Sequence, residues 1–344
     1  MYSWLRNGLF LLPPEIAHDV ALGALARGRW IGLPRILGGC PSSAPVELMG
    51  LAFPNPVGLA AGLDKNGDYI DALGDLGFGF IEVGTVTPEP QDGNPKPRLF
   101  RLPEHEALIN RLGFNNKGVD HLVGQLERRR FSGIVGANIG KQKDTPVERA
   151  ADDYRICLEK VYPHCDYITV NISSPNTANL RALQDTGPLR ELLAELTGLR
   201  DELAAEHESY RPLLVKIAPD WDEDALTASL ETVGDSGFDG LIATNTTLDR
   251  SGVAGHRHAD EAGGLSGAPV KVLADRTLST ARRVLGPDFP IIGVGGILSG
   301  ADAIDKQRAG ADLVQIYTGF LYRGPGLIGE ITRAWLKRPV HAAA

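Results

Sequence analysis

The residues best suited to chemistry follow a run of strand-forming residues between positions 167 and 178. Ile168 and Val170 are β-branched, which favours a buried strand. Amide and hydroxyl side chains follow where that strand ends, at Asn171, Ser173, Ser174, Asn176 and Thr177. Such groups can bind a polar ligand, but a polar turn also uses them to satisfy its own backbone. This segment alone leaves both interpretations open.

A lysine inside another apolar run indicates a buried charge. Lys216 has apolar neighbours on both sides over 214–218, so its ammonium group needs an anionic partner or a shifted pKa. The alternative is a lysine that reaches solvent from an edge position. Another strand-like run ends in Thr244, Asn245 and Thr246. Two polar strand ends near a cation favour a planar ligand with several carbonyl and N–H groups, such as a flavin.

Glycine-rich turns predict where a phosphate would bind. The segment 293–297 reads Gly-Val-Gly-Gly-Ile, and it departs from the dinucleotide pattern G-x-G-x-x-G because Leu298 occupies the sixth position. In a barrel of parallel strands, however, the loops after strands seven and eight are the usual phosphate site. Tyr317-Thr318-Gly319 and Gly267 supply matching turns. We therefore expect a phosphorylated cofactor. Near the first strand, Ala61 and Gly62 would let a flat ligand approach, and Lys65 would add a cation. The alternative for this segment is a surface lysine in a glycine-rich turn.

Eight strand-like runs must position these residues. They are Val57 to Ala61, Phe80 to Val86, Ile134 to Ile139, Tyr167 to Ile172, Leu213 to Ala218, Leu241 to Asn245, Ile291 to Ile297 and Leu313 to Thr318. Helical runs lie between them, at Lys117 to Arg130, Pro146 to Val161, Leu189 to Glu206, Glu223 to Ser236 and Pro269 to Leu285. This alternation predicts an α/β fold, a (β/α)₈ TIM barrel, with a doubly wound sheet as the alternative.

The longest insertion follows the second strand, from Thr87 to Phe114. An insertion at the C-terminal end of a barrel strand lies on the active-site face. Asn110 is therefore expected to reach a ligand held beside Asn171. The alternative is a loop in which Asn115 or Asn116 caps the next helix.

Composition excludes several classes of function. The 344 residues carry a net charge of −8, which gives no general nucleic-acid footprint. The three cysteines, Cys40, Cys157 and Cys165, contain no C-x-x-C pair, so neither zinc nor an iron–sulfur cluster is expected. For His256 and His258, in His-Arg-His, we expect a solvated loop and no metal site.

The first 40 residues differ from the rest. Apolar residues recur at helical spacing on both sides of Pro13-Pro14, which predicts two short helices. Four arginines, at positions 6, 27, 29 and 35, outnumber Glu15 and Asp19, so the segment carries 4 − 2 = +2. That charge suits an anionic membrane surface, although such helices also pack against a protein core. Residues 41–45 read as a linker.

Five motifs, taken together, resemble a known family. They are Gly58-Leu-Ala-Ala-Gly-Leu-Asp-Lys-Asn-Gly67, Asn110-Arg-Leu-Gly-Phe-Asn-Asn116, Asn171-Ile-Ser-Ser-Pro-Asn-Thr177, Gly293-Val-Gly-Gly-Ile297 and Tyr317-Thr-Gly-Phe320. Their order and length are similar to those of the quinone-using, membrane-associated dihydroorotate dehydrogenases (class 2). The resemblance covers nearly the whole chain. Leu112, where the family has Met, and Thr318, where Ser is common, are mild departures.

The resemblance implies oxidation of (S)-dihydroorotate to orotate in pyrimidine synthesis, with one FMN per chain as hydride acceptor and ubiquinone or menaquinone as final acceptor. Carried over by position, the FMN-binding residues would be Ala61, Gly62, Leu63, Asp64, Lys65, Thr85, Asn138, Asn171, Lys216, Thr244, Gly267, Gly296, Tyr317 and Thr318. The substrate-binding residues would be Lys65, Asn110, Arg111, Leu112, Gly113, Phe114, Asn171, Asn176, Asn245 and Thr246.

The same resemblance makes Ser174 the catalytic base and Thr177 the start of a proton relay. Free serine is a weak base, so its surroundings must activate it. Serine at this position, where soluble classes carry cysteine, favours the quinone class. Residues 1–40 would then form a membrane-associating quinone-channel segment and 46–338 the FMN barrel.

The resemblance also implies a cellular setting for the chain. We expect a monomer without an iron–sulfur partner subunit. Without an Arg- and Ser-rich leader, the chain is expected on the cytoplasmic face of a bacterial inner membrane, as a peripheral protein.

Two alternative functions are considered, one a different flavin enzyme and one a non-catalytic binding protein. Another FMN barrel, such as an α-hydroxy-acid oxidase, would need a histidine base and an arginine, and no histidine follows a predicted strand. A non-catalytic, membrane-attached barrel that only binds a ligand would show no flavin reduction by dihydroorotate.

Overall fold

The computed structural model describes residues 2–39, 43–177 and 180–337. At the N-terminus it has three helices, α1 (Tyr2–Phe10), α2 (Pro14–Gly28) and α3 (Leu33–Gly38), where the sequence predicted two. The break between the first two falls at the predicted Pro13-Pro14 pair, because neither proline can donate a helical hydrogen bond. Cys40 and the first two residues of the predicted linker at 41–45 lie outside the described residues.

The remaining elements follow in chain order. They are β1 (Val46–Leu48), β2 (Leu51–Phe53), β3 (Val57–Leu59), α4 (Ile70–Gly74), β4 (Phe80–Val86), β5 (Leu99–Leu102), β6 (Ala107–Asn110), α5 (Val119–Arg128), β7 (Ile134–Ile139), α6 (Ala150–Val161), β8 (Tyr167–Asn171), α7 (Thr186–Glu206), β9 (Leu213–Ile217), α8 (Glu223–Gly234), β10 (Gly240–Ala243), β11 (Gly264–Gly267), α9 (Lys271–Leu285), β12 (Ile291–Val294), α10 (Gly300–Arg308), β13 (Leu313–Ile316), α11 (Thr318–Arg323) and α12 (Gly326–Leu336).

Eight parallel strands close into a barrel. Around it the order is β3, β4, β7, β8, β9, β10, β12 and β13, and β13 pairs back with β3. Each of these strands overlaps one of the eight predicted runs, and β10 alone begins outside its run, at Gly240, so the (β/α)₈ prediction is confirmed and the doubly wound alternative is wrong. The five predicted helices are present as α5 to α9.

A hairpin that the sequence did not reveal plugs the N-terminal end of the barrel. β1 and β2 pair antiparallel, and Phe53 at the end of β2 is fully buried. Its ring meets Phe80 edge-on at 5.1 Å, and Phe80 in turn lies 6.4 Å from Tyr167. These aromatic contacts fill the floor of the barrel, so a cavity can open only at the other end.

A second sheet covers part of the C-terminal end. β5 and β6 form a hairpin inside the insertion, and β11 pairs antiparallel with β6. In this register Asn110 lies opposite Gly264, and a weak hydrogen bond of 3.5 Å joins its amide to that glycine's carbonyl oxygen. The insertion is thus an ordered wall, and it carries Asn110 to the mouth of the barrel.

The N-terminal helices are attached to the barrel through Leu22 and Leu25 of α2, which are buried in the main apolar core, and through several polar contacts. The Tyr2 hydroxyl donates to the Leu321 carbonyl at 2.7 Å, and Arg98 pairs with Glu15 at 2.9 Å. Much of their apolar surface stays exposed, at Trp4, Leu5, Leu11, Leu12, Ile16, Val20, Trp30, Ile31 and Ile36. Across the described ranges, no helix has the length and hydropathy that crossing a bilayer requires.

Candidate active site

A cavity opens at the C-terminal ends of the barrel strands. It encloses about 1110 Å³, including its open mouth, and the antiparallel sheet contributes Leu99 and Leu108 to its wall. Both predicted strand ends, at Asn171 and Asn245, face it.

Asn171 is the centre of a hydrogen-bond network at the end of β8. Its Nδ2 donates to Thr85 Oγ1 at 3.0 Å and to Asn138 Oδ1 at 3.3 Å. Its Oδ1 accepts hydrogen bonds from the Ser173 hydroxyl at 3.0 Å and from Asn245 Nδ2 at 3.5 Å. Because both ends of the amide are engaged, the side chain is held in one orientation before any ligand binds.

Further amides converge on the same side of the cavity. Asn176 Nδ2 donates to Asn110 Oδ1 at 3.2 Å, so the insertion meets the segment after β8. Asn245 Nδ2 also donates to Ser173 Oγ at 3.0 Å. Asn110 and Asn171 both line the cavity, which the prediction that Asn110 reaches a ligand beside Asn171 requires. This cluster, which we call the amide cluster (Asn110, Asn171, Asn176 and Asn245), suits a planar ligand that carries carbonyl and N–H groups.

Ser174 lines the cavity beside this cluster. It is buried, and among the described residues the hydrogen bond recorded for its hydroxyl oxygen comes from the Asn176 backbone N–H at 3.2 Å. Its O–H hydrogen therefore stays available. No ionisable side chain of the described residues bonds to it, so a proton that it takes must leave through hydroxyl groups or water.

Lys216 is buried in β9 and lines the cavity, as predicted. Burial lowers the pKa of its ammonium group, and the charge of Glu82 acts in the opposite direction. No carboxylate of the described residues lies within salt-bridge distance of Lys216, so its charge faces the cavity. An electron-rich or anionic ligand group would satisfy it.

Lys65 joins the mouth of the cavity to the N-terminal helices. Burial, together with the charge of Arg98, lowers the pKa of Lys65 to about 8, while Glu15 and Asp19 on α2 act to raise it. On α2 itself, burial and the charge of Lys65 lower the pKa of His18 to about 4. The charges of α2 and of the cavity mouth are therefore coupled.

Glycines form a cradle at the ends of β11, β12 and β13. Gly267 and Gly296 have φ of +92° and +74°, which side chains rarely adopt. A Cβ at Gly296 would lie 2.5 Å from Lys271 Cα, and one at Gly267 would lie 2.1 Å from the Glu106 carbonyl oxygen. Backbone N–H groups at such turns suit a phosphate, and the hydroxyls of Ser266 and Thr318, 2.8 Å apart, add donors.

The cavity brings together most of the predicted site residues. They are Ala61, Gly62, Lys65, Thr85, Asn110, Leu112, Gly113, Phe114, Asn171, Ser174, Asn176, Lys216, Thr244, Asn245, Thr246, Gly267, Gly296, Tyr317 and Thr318.

Five predicted site residues do not line the cavity. Leu63 is core, and Asp64 accepts backbone hydrogen bonds from Asp68 and Tyr69, an arrangement that fixes the loop after β3. Asn138 lies behind Thr85, and Thr177 is buried. The Arg111 guanidinium pairs with Glu261 at 2.6 Å and stacks on Phe100, outside the cavity.

Two polar residues that sequence reasoning missed lie inside the barrel. Glu82 is fully buried on β4, and Gln315 lies on β13 at the cavity wall. The Oε1 atom of Gln315 is buried without a hydrogen-bond partner among the described residues, so it offers an acceptor to a ligand N–H. The available signal was a polar residue inside an apolar strand, the same signal that singled out Lys216.

Comparison with known proteins identifies the family. The sequence signature of the family described as dihydroorotate dehydrogenase matches residues 43–338. The chain belongs to this family. It is 58% identical over 330 residues to the dihydroorotate dehydrogenase (quinone) of Marinomonas sp. (strain MWYL1), covering 96% of this chain and 95% of that one. It is 56% identical over 334 residues to the protein of the same name from Azotobacter vinelandii, covering 97% of this chain and 96% of that one. These relatives place the chain in the quinone-dependent class.

A solved structure agrees with the fold. The crystal structure of a DHODH from Eimeria tenella in complex with ferulenol has a TM-score of 0.87 and 38% sequence identity, covering 94% of this chain and 90% of that one. The barrel and its attached elements are thus shared by a family member of known structure.

Proposed function

We propose that the cavity at the C-terminal ends of the barrel strands is the site of this family's reaction, with Ser174 as the base. As a quinone-dependent dihydroorotate dehydrogenase, the chain oxidises dihydroorotate to orotate with FMN and passes the electrons to a quinone in pyrimidine biosynthesis. The observation that carries the assignment of the site is the position of Ser174. It is a buried hydroxyl beside the amide cluster, in a cavity that Lys216 and the glycine cradle also line.

The residues present fit FMN. The unpartnered Oε1 atom of Gln315 and the unpaired charge of Lys216 would meet the ring system, and Gly267 and Gly296 would hold the phosphate. When bound, FMN supplies the hydride acceptor. The protein's part is to bind the cofactor, to orient the substrate against it and to remove a proton.

The amide cluster would hold the pyrimidine ring through its carbonyl and N–H groups, and Lys65 would meet the substrate carboxylate. The Ser174 oxygen would take the C5 proton while the hydroxyl's own proton leaves towards Thr177, three residues on and buried, which would pass it outward. Arg111 pairs with Glu261, so we propose that it supports the wall of the cavity and does not contact orotate.

Replacing Ser174 tests the role of its hydroxyl. Ser174→Ala should retain FMN yet slow flavin reduction by dihydroorotate, because a positioned base contributes about 10²- to 10⁴-fold. Stopped-flow absorbance of the flavin measures this rate directly. Ser173→Ala is the matched control: it removes a neighbouring hydroxyl that bonds Asn171 and Asn245, so it should weaken substrate binding more than it slows the chemical step. Near-normal reduction in Ser174→Ala would show that another group takes the proton.

We also propose that residues 1–40 form the quinone-channel and membrane-associating segment, and that 46–338 form the FMN barrel. The support is the exposed apolar face of α1 to α3 together with the coupling between α2 and Lys65. A segment of this kind binds a bilayer surface without crossing it. In this proposal the protein is a peripheral monomer on the cytoplasmic face of a bacterial inner membrane, and ubiquinone or menaquinone is its acceptor.

The membrane proposal has a test in the full chain. Trp4→Ser, Leu11→Ser and Trp30→Ser, combined, should lower binding to anionic liposomes and reduction of a long-chain quinone, while flavin reduction by dihydroorotate stays unchanged. Deleting residues 1–38 should have the same direction of effect. Ile156→Ser, an exposed apolar residue on α6, is the control. Unchanged turnover with the long-chain quinone would refute the role.

A further inference from the structure

Glu82 is a carboxylate sealed inside the barrel. Its exposure is 0%, and no lysine, arginine or histidine nitrogen of the described residues lies within salt-bridge distance. Four donors surround it instead. Asn138 Nδ2 donates to Oε1 at 2.7 Å, and Gln315 Nε2, the Tyr167 hydroxyl and the Thr169 hydroxyl donate to Oε2 at 2.7, 3.1 and 3.2 Å. All four groups can donate, so both carboxylate oxygens are satisfied as acceptors, which is the arrangement that an ionised carboxylate needs.

An ionised Glu82 dictates how two amides point. Because it cannot donate, it draws the NH₂ end of both Asn138 and Gln315, and their carbonyl oxygens must face away. The Asn138 oxygen then accepts from Asn171, whose own oxygen accepts from Asn245. The Gln315 oxygen is left unpartnered at the cavity wall. One charge thus sets the direction of a chain of amides that ends in the amide cluster.

Glu82 also balances the other buried charge of the barrel. Lys216 lines the cavity without a salt-bridge partner, and Glu82 is the anion that favours its charged form. Separated buried charges of opposite sign stabilise each other more strongly than in water, since the local dielectric constant is low. Removing one leaves the other uncompensated.

We propose that Glu82 is a positioning residue of the flavin site: as an ionised carboxylate, it fixes the direction of the Asn138 and Gln315 amides and balances the buried charge of Lys216. This inference rests on the proposed function, because it takes FMN to occupy the cavity. In this assignment Glu82 contacts neither substrate nor cofactor. It acts through Asn138, Gln315 and Lys216, which either contact the cofactor or support residues that do.

The test is Glu82→Gln in the full-length holoenzyme, measured by flavin midpoint potential and by FMN dissociation constant. Loss of a buried anion favours the reduced flavin, so the midpoint potential should shift to more positive values. Glutamine can donate as well as accept, so one amide can reverse, and FMN should bind about tenfold more weakly for one misdirected hydrogen bond. Thr169→Val is the control: it removes the 3.2 Å bond and keeps the charge, so neither quantity should move. A potential and an affinity equal to those of the native protein would overturn the proposal.

If Glu82→Gln does not fold, a second variant still tests the proposal. Glu82→Gln combined with Lys216→Met removes both buried charges, so it should recover soluble, folded protein if charge balance is the role of Glu82. Failure of the single and double variants alike would refute that role. The proposed function is tested separately. If dihydroorotate does not bleach the flavin of the native protein, that function is refuted, independently of the results for the Glu82 variants.

Discussion

The contact between Arg98 and Glu15 should contribute measurably to holding α2 on the barrel, beside the buried Leu22 and Leu25. Arg98 Nε and Nη2 both donate to Glu15 Oε1, at 3.0 and 2.9 Å. The Arg98 side chain is only 8% exposed and that of Glu15 is 24% exposed, so solvent screens this pair less than a surface pair. Glu15→Ala should therefore loosen α2 without disturbing the barrel strands.

The expected change in the free energy of α2 opening follows from the hydrogen bonds that Arg98 retains without Glu15. Arg98 Nη1 also donates to the carbonyl oxygens of Asp92 and Asn94, so its charge keeps two acceptors when Glu15 is removed. A charge-assisted hydrogen bond contributes roughly 1.5–3 kcal/mol, and we take about 2 kcal/mol for the loss. That corresponds to about a thirtyfold increase in local opening of α2.

Hydrogen exchange of the α2 amides, followed by mass spectrometry, measures this opening. Lys96→Ala is the matched control, because Lys96 approaches the same carboxylate at 3.8 Å but is 68% exposed. Loss of Lys96 should change the free energy of α2 opening by less than about 1 kcal/mol, as for most surface pairs. Unchanged exchange in α2 after Glu15→Ala, or an equal increase in the barrel strands, would refute the reasoning.

Two further predictions concern pH. Burial and the charge of Arg98 lower the pKa of Lys65 to about 8, and a bound anionic orotate would raise that pKa. Orotate affinity should therefore be full below pH 7 and decline as pH rises through 8. Flavin absorbance titrations should show this decline, and Lys65→Met should abolish it. Burial and Lys65 lower the pKa of His18 from 6.5 to about 4, so folded stability present above pH 6.5 should be lost as pH falls towards 4. His18→Gln should reduce the difference between urea midpoints at pH 7 and pH 5; an undiminished difference would contradict the assignment.

The barrel could be predicted because each strand carries its own signal. A run such as Tyr167 to Ile172 is β-branched and apolar, and it ends abruptly in polar residues, so both the strand and its functional end are local properties. The sheet made by β5, β6 and β11 could not be found in this way. Its third strand lies more than 150 residues beyond the hairpin in sequence, as the register of Gly264 with Asn110 shows, and short-range patterns do not encode such a pairing.

Side-chain direction limited the prediction of the site. Arg111 follows Asn110 directly, and alternation along a strand turns its guanidinium away from the cavity towards Glu261. Asn138 matched a family position, yet Thr85 stands between it and the cavity. Glu82 was missed although it has the same pattern as Lys216, a charged residue within an apolar strand. A buried charge in one strand implies a partner in another, and both should be sought together.

The order of strands around the barrel explains why changes at α2 should leave the amide cluster intact. Chain order and spatial order coincide, so β8, which leads to Ser174, lies three places around the barrel from β3, which leads to Lys65. The amide cluster is fixed by bonds among its own members and to Ser173, none of which involves the N-terminal helices. In the proposed function the amide cluster holds the pyrimidine ring on one side of the cavity, while α2 acts through charge on Lys65, which meets the substrate carboxylate on the other side. In the proposed function, a cofactor between these two sides can be reduced from one and reoxidised from the other.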